Sequence, residues 1–243
     1  MPSPDFLLDL DAVALRVDGR DILQGVTLAT DVRRLTVLGR NGSGKTTLAR
    51  VIAGLQRPTS GRVRIAGVDV ARDRRGALGA VGILFQNPDH QIIFPTVGEE
   101  LAFGLAQMGL PKREILERVQ ATLAQFGKDD WHDAAIHRLS QGQRQLVCLM
   151  AILAMAPKMI ILDEPFAGLD IPTAMHLARV LDATDAALVH ITHDPLTVRE
   201  YDHALWIDAG AVRMQGDAAE VGAAYLDAMR KLGARDDLSL LSG

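Results

Sequence analysis

Residues 39–46 read Gly-Arg-Asn-Gly-Ser-Gly-Lys-Thr, between the apolar run Leu35-Thr36-Val37-Leu38 and the helical stretch Thr47–Leu55. This G-x-x-x-x-G-K-[ST] spacing at a strand-to-helix junction predicts a loop wrapped around the phosphates of a nucleoside triphosphate. Gly39, Gly42 and Gly44 let the backbone come close, so that its N–H groups and the following helix N-terminus face negative charge. Arg40, Asn41, Ser43 and Thr47 complete the cradle. Lys45 supplies a point charge for the β- and γ-phosphates, and the Thr46 hydroxyl is the expected Mg2+ ligand.

A second constellation lies far along the chain. Met159-Ile-Ile-Leu-Asp163-Glu164-Pro165 puts two adjacent carboxylates at the end of an apolar strand, an expensive place unless a cation or a reaction uses them. Asp163 is expected in the Mg2+ shell, and Glu164 is expected to orient and polarise a water in line with the γ-phosphate.

The pattern in between predicts an α/β chain. Alternating stretches at Leu8–Asp11 and Ala14–Val17 with a turn at Asp18-Gly19 read as an antiparallel strand pair, and residues 61–70 as one further strand before a solvated basic loop at Arg72, Arg74 and Arg75. Val81–Phe85 is a short strand ending at Gln86. Thr96 opens a helix, and Pro111 starts another with apolar positions Ile115, Leu116, Val119, Leu123 and Phe126, so residues 96–138 form a helical insert. Strands are expected again at Met159–Leu162 and Ala187–Ile191, with Ala204–Ile207 as an edge strand and helices at Thr173–Leu181 and Ala218–Leu232. The tail from Gly233 is expected to fray.

Charge and cysteine content narrow the function class. Twenty-six basic against thirty acidic side chains give a net charge of -4, no footprint for wrapping nucleic acid. Cys148, the single cysteine, falls in the apolar run Leu146–Ala156 and is expected to be a buried, inert thiol in a reducing compartment. That run is too short to cross a bilayer, and the first residues carry no secretory pattern, which predicts a cytoplasmic location. His90, His132, His137, His176, His190 and His203 form no metal-ligand spacing.

Leu139-Ser140-Gln141-Gly142-Gln143 opens a long helix reaching Ala156, and here the sequence resembles the ATP-binding-cassette (ABC) ATPases, whose signature is Leu-Ser-Gly-Gly-Gln. The resemblance covers nearly the whole chain: phosphate loop, Gln86 at a strand end, signature, the Asp163-Glu164 pair, Phe166-Ala-Gly-Leu-Asp170 as the D-loop, and His193 in Ile-Thr-His-Asp as the switch histidine. It implies a P-loop fold over residues 1–243 with a mixed central sheet, an antiparallel β subdomain and a helical subdomain at about 96–157, leaving 234–243 as tail. The nucleotide is then ATP, with Glu164, His193 and Gln86 as the catalytic set, Thr46, Gln86 and Asp163 as Mg2+ ligands, and Ser140, Gly142, Gln143 and Asp170 completing the nucleotide site. Ser140 and the helix N-terminus would meet the γ-phosphate bound by an opposing subunit, so a second ATPase subunit, in a homodimer or with a close relative, is implied.

Two positions depart from the family pattern. Gln141 replaces a glycine and adds bulk. The aromatic residue that stacks on adenine is replaced by Val17, leaving Arg16 either as a cation over the base or as a solvated strand residue.

The stretch Phe85-Gln86-Asn87-Pro88-Asp89-His90-Gln91 followed by Pro95-Thr96-Val97 resembles the ATPase subunits of energy-coupling-factor (ECF) importers of vitamins such as biotin, or of cobalt and nickel. That resemblance implies a transmembrane coupling subunit docking beside residues 86–104, a separate substrate-capture membrane subunit, and a peripheral position on the cytoplasmic side of the membrane. The short region after the cassette leans towards the biotin branch. Asp89 and Glu100 are the candidate acidic contacts for partner arginines. The alternatives are a nucleotide-gated clamp on nucleic acid or ribosomes, against which charge and the single cassette argue, and a phosphotransferase, which conflicts with the signature and switch histidine.

Overall fold

In chain order the elements are β1 (Leu8–Val17), β2 (Arg20–Thr30), β3 (Arg34–Leu38), α1 (Lys45–Ile52), β4 (Ser60–Ile65), β5 (Val68–Asp69), α2 (Arg74–Ala80), β6 (Val81–Leu84), α3 (Val97–Gln107), α4 (Lys112–Gln125), α5 (Gln141–Ala154), β7 (Met159–Asp163), α6 (Ile171–Asp182), β8 (Ala187–Thr192), β9 (His203–Asp208), β10 (Ala211–Asp217) and α7 (Ala218–Gly233). The computed structural model describes residues 6–194 and 201–234. They form two units: the chain up to Ala77 together with the part from Ala187 onward, and Leu78–Ala186. The expected tail beyond Ala234 lies outside the described residues.

The first unit holds two sheets. One is antiparallel, in the order β2-β1-β4-β5. Its β1-β2 hairpin turns at Asp18-Gly19, with φ of 47° and 77°, the paired left-handed values that suit a two-residue hairpin. The two alternating stretches seen in the sequence are one strand with a bulge. Its buried side switches from Leu8 and Leu10 to Val13 and Leu15, because the register slips where Ala12 takes φ 46°. Opposite the bulge only glycine fits: a Cβ on Gly61 would lie 2.4 Å from the Ala12 carbonyl oxygen. Residues 61–70, expected as one strand, are a hairpin of β4 and β5 turned at Ala66-Gly67, whose φ values of 47° and 81° again suit a tight turn. Of the basic run, Arg72 lies in a turn as expected, but Arg74 and Arg75 are corrected from loop to helix, since Asp73 Oδ1 accepts the Gly76 N–H at 2.8 Å and starts α2 at Arg74.

The second sheet of this unit runs β10-β9-β3-β8, with β3 parallel to both neighbours and β10 antiparallel to β9. The expectation that Ala204–Ile207 forms an edge strand is overturned: β9 is interior, with four consecutive buried residues, and β10 is the edge. The continuous apolar run reports burial on both faces. Helix α7 covers it, packing Val221 and Tyr225 against Leu38, Ala204 and Trp206, with the Trp206 and Tyr225 rings edge-to-face at 5.4 Å.

In the second unit β6 and β7 pair in parallel, with Leu84 opposite Leu162. Helices α3, α4 and α5 pack together beside them. Thr96 caps α3, accepting the Glu99 N–H, and α5 is buried almost continuously from Gln145 to Met150. Gly104 of α3 packs against Met155 at the end of α5: a Cβ there would fall 2.2 Å from Met155 Sδ, so that flexible side chain would have to shift.

Candidate functional site at two sets of strand ends

In the first unit the chain leaves β3 at Leu38, which lies in register with Thr192 of β8 on one side and Trp206 of β9 on the other. Gly39 and His193 therefore leave adjacent parallel strands at the same level, although they are 154 residues apart in the chain. The phosphate loop is drawn tightly against β9. A Cβ on Gly39 would meet the Ile207 carbonyl at 2.4 Å and Ser43 Oγ at 2.5 Å, while Gly42 and Gly44 take φ of 78° and 103°. Lys45 is buried and curls back over the loop, its Nζ donating to the carbonyls of Gly39 at 2.8 Å and Arg40 at 2.9 Å.

This loop fits a phosphate chain. Ser43 Oγ is buried and, among the described residues, makes no hydrogen bond. Helix α1 starts without a side-chain cap hydrogen bond and without an acid in its first turn, so the positive end of its dipole is not offset there by a carboxylate and suits an anion. Asn41 and Thr46 are exposed, and Arg40 and Thr47 half-buried.

One supporting element escaped the sequence reading. The β9-β10 turn at Ala209-Gly210 holds the loop from outside: Gly210 donates its N–H to the Ser43 carbonyl at 2.9 Å, and its own carbonyl accepts from Gln24 at 2.8 Å. A Cβ on Gly210 would lie 2.4 Å from the Ile22 carbonyl. The Ala-Gly pair after an apolar strand was the available signal. Val17 is exposed, and Arg16 forms a two-pronged pair with Asp21, at 2.8 and 3.1 Å, on the exposed strand.

In the second unit Gln86 follows β6 and the Asp163-Glu164 pair ends β7, again at the same level by the Leu84–Leu162 register. Asp163 is buried at 6% exposure. Glu164 takes φ 49°, a left-handed conformation that costs a non-glycine residue about 1 kcal/mol or more and persists only where the surroundings impose it. Gln145, which the sequence reading passed over, ties the two strand ends: its Nε2 donates to the Phe85 carbonyl at 2.9 Å and approaches the Pro165 carbonyl at 3.5 Å. In the sequence its signal was an amide directly before the apolar run Leu146–Ala156.

The signature starts α5 through reciprocal capping. Ser140 Oγ accepts the Gln143 N–H at 3.3 Å, and Gln143 Oε1 accepts the Ser140 N–H at 2.8 Å. Gly142 packs on α6, where a Cβ would be 2.6 Å from Thr173 Cγ2, so helix packing alone already demands glycine. Asp170 caps α6, accepting the Thr173 N–H at 2.8 Å, and this hydrogen bond holds its carboxyl below the usual range. The extra bulk of Gln141 is taken up towards the D-loop, its side-chain amide lying against Gly168. Gln86, Asp89, His90, Gln141, Arg144 and Gly168 line an open pocket of about 520 Å³.

The loop after Gln86 is built by its own polar residues. Asn87 Oδ1 accepts the Asp89 N–H at 2.9 Å, closing a 3-10 turn at Pro88–His90, and Gln91 Oε1 accepts the Phe85 N–H at 3.3 Å. Glu100 is not a surface contact, as its expected role required. It is 6% exposed and accepts the N–H groups of Ile93 and Phe94, both at 2.9 Å. Asp89 is exposed but pairs with Arg144 at 3.0 Å. Among the described residues no cluster of three or more metal-ligating side chains occurs, and no helix is long and apolar enough to cross a membrane. Cys148 is buried, and burial pushes its thiol up to about 12.

Comparison with known proteins places these features in a family. Residues 26–167 match the family described as ABC transporter. The chain is 49% identical over 225 residues to a biotin transport ATP-binding protein, BioM, of Rhodobacter capsulatus, covering 93% of this chain and 96% of that protein. It is 36% identical to the energy-coupling factor transporter ATP-binding protein EcfA of Methanocaldococcus jannaschii over 84% of this chain and 76% of the relative. The solved structure of cbiO1 from Clostridium perfringens, part of the ABC transporter complex cbiONQ, superposes with a TM-score of 0.75 at 31% identity and covers 96% of both chains. By these matches along most of its length the chain belongs to the ABC transporter ATP-binding proteins of the energy-coupling-factor type, and it is an ATPase.

Proposed function

We propose that this ATPase drives biotin uptake, as the subunit that binds and hydrolyses ATP on the cytoplasmic face of a membrane complex. The observation that carries the substrate is the similarity to the biotin transport protein along almost the whole length of both chains. The chain itself has no role in touching the transported solute; its contribution is nucleotide-driven movement.

In this reading Gly39–Thr47 wraps the phosphates, with Lys45 turning from the Gly39 and Arg40 carbonyls to the β- and γ-phosphates. Mg2+, when bound, offsets phosphate charge, and Thr46, Asp163 and Gln86 offer the hydroxyl, carboxylate and amide oxygens that suit so hard a cation. Glu164 polarises the attacking water, which adds to the γ-phosphorus as the bond to the bridging oxygen breaks, giving ADP and phosphate. His193 donates to the γ-phosphate and registers its departure. Ser140, the Gly142 N–H, Gln143 and Asp170 act across a dimer of two ATPase subunits, each signature closing over the partner's nucleotide.

The docking surface for the transmembrane subunit is the stretch 86–104. Once Glu100 has turned inward, it presents apolar side chains: Ile93 is 67% exposed, and the Phe103 ring lies 5.2 Å from that of Phe94. Such a patch beside a polar rim suits an amphipathic partner helix.

The test is to purify the chain with the membrane proteins that accompany it and measure uptake of labelled biotin, cobalt and nickel in reconstituted vesicles. ATP-dependent biotin accumulation is expected. Accumulation of either metal without biotin overturns the substrate, and copurification with no membrane protein overturns the transport role.

A further inference from the structure

We propose that Arg144 is a positioning residue that ties the segment following Gln86 to the signature serine, so that a shift of one is felt by the other. The inference rests on the dimer reading of Ser140 given above. Arg144 sits in the first turn of α5 with its side chain only 24% exposed. Its guanidinium reaches in two directions. Nε stands 3.0 Å from Asp89 Oδ1, and Nη1 donates to the Leu139 carbonyl at 2.7 Å. The Leu139–Ser140 peptide is therefore held from both sides, because its N–H donates to Gln143 Oε1 at 2.8 Å.

The other end of the link is equally defined. Asp89 lies in the 3-10 turn three positions after Gln86, its N–H bound to Asn87 Oδ1 at 2.9 Å. A continuous series of polar contacts thus runs from Asn87 through Asp89 and Arg144 to the peptide that presents Ser140. The buried Arg144 Nε is close to Asp89 without hydrogen-bond alignment, so the attraction is chiefly coulombic and tolerates small sliding of the turn. The open pocket beside Arg144 leaves room for that movement. A lysine cannot replace this arrangement, since one compact ammonium does not span a carboxylate and a carbonyl as a planar fork does.

The experiment uses the full chain carrying Glu164→Gln, with ATP-induced dimerisation followed by analytical ultracentrifugation and nucleotide affinity measured separately with a fluorescent ATP analogue. Asp89→Asn keeps shape and removes charge; Arg144→Lys keeps charge and removes the fork. Each is expected to weaken the ATP-bound dimer by about fivefold or more, the double variant no further than the worse single one, as for residues acting through one link. Asp89→Glu restores dimerisation to within about twofold, an expected outcome for charge-based coupling. Nucleotide affinity and melting temperature stay at the parental values.

Parental dimerisation of Asp89→Asn, or losses that add in the double variant, overturns the link. Losses accompanied by weakened nucleotide binding or early melting assign the pair a merely structural role and overturn it as well. Failure of the Glu164→Gln parent itself to dimerise with ATP identifies the dimer reading as what is wrong, and the inference falls with it.

Discussion

The carboxylate of Glu100 accepts the backbone N–H of Phe94 at 2.9 Å inside the protein, where only 6% of the residue meets solvent. The same oxygen accepts the Ile93 N–H, so one buried acid fixes the path of the chain into α3. Removing it leaves two backbone donors unsatisfied. Glu100→Ala is expected to destabilise the protein by about 1–3 kcal/mol, measured by denaturant unfolding. Glu100→Lys is expected to be worse, whereas Asp89→Lys, on an exposed position, stays folded. Equal unfolding midpoints for Glu100→Ala and the parent contradict the structural role.

Gly142 and Thr173 set the distance between α5 and α6. Adding a methyl at Gly142 places it 2.6 Å from Thr173 Cγ2, and overpacking of this kind costs about 1–3 kcal/mol. Thr173→Ser removes that carbon while keeping the hydroxyl and backbone. In thermal unfolding, Gly142→Ala with Thr173→Ser is expected to recover part of the stability lost by Gly142→Ala alone; identical melting of the single and double variants rules out the contact.

Glu164 and Lys45 separate chemistry from binding. Glu164→Gln should retain ATP binding and lower hydrolysis by about 100-fold or more, because an amide does not polarise water as a carboxylate does. Lys45→Ala should instead weaken triphosphate affinity. Equilibrium binding and steady-state turnover on the same preparations distinguish them, and near-parental turnover of Glu164→Gln refutes its role.

Cys148 predicts an alkaline weakness. Its folded-state pKa of about 12 lies above the ordinary 9.0 because burial disfavours the thiolate. Below pH 9 the thiol is neutral in both states and costs nothing. As pH rises from 9 towards 12 the unfolded chain loses this proton first, so it binds fewer protons than the native state and stability falls. Cys148→Ala is expected to flatten that part of the stability–pH curve, and native protein at pH 8 should resist iodoacetamide until unfolded. Rapid labelling of the native protein overturns the buried assignment.

The local chemistry was legible in one dimension. The phosphate loop, the signature and the Asp163-Glu164 pair are contiguous stretches whose function depends on spacing along the backbone. The Asp18-Gly19 turn and the Thr96 cap were equally readable, because they use residues within a few positions of one another. Where the reading failed, the deciding contact was distant or the local signal faint. Ala66-Gly67 turns a hairpin without a polar turn residue, and β9 is interior because α7 and β10 cover it. Glu100 has the composition of a surface acid and became a buried acceptor because Ile93 and Phe94 needed one.

By itself the sequence determined the glycine-spaced loop, the signature and the paired carboxylates, since such spacing is set by the chain's own covalent geometry. Only the tertiary structure decided which of them share a level: parallel register carries Gly39 beside His193 and Gln86 beside Glu164, and strand pairing depends on long-range hydrogen bonds that no local pattern specifies.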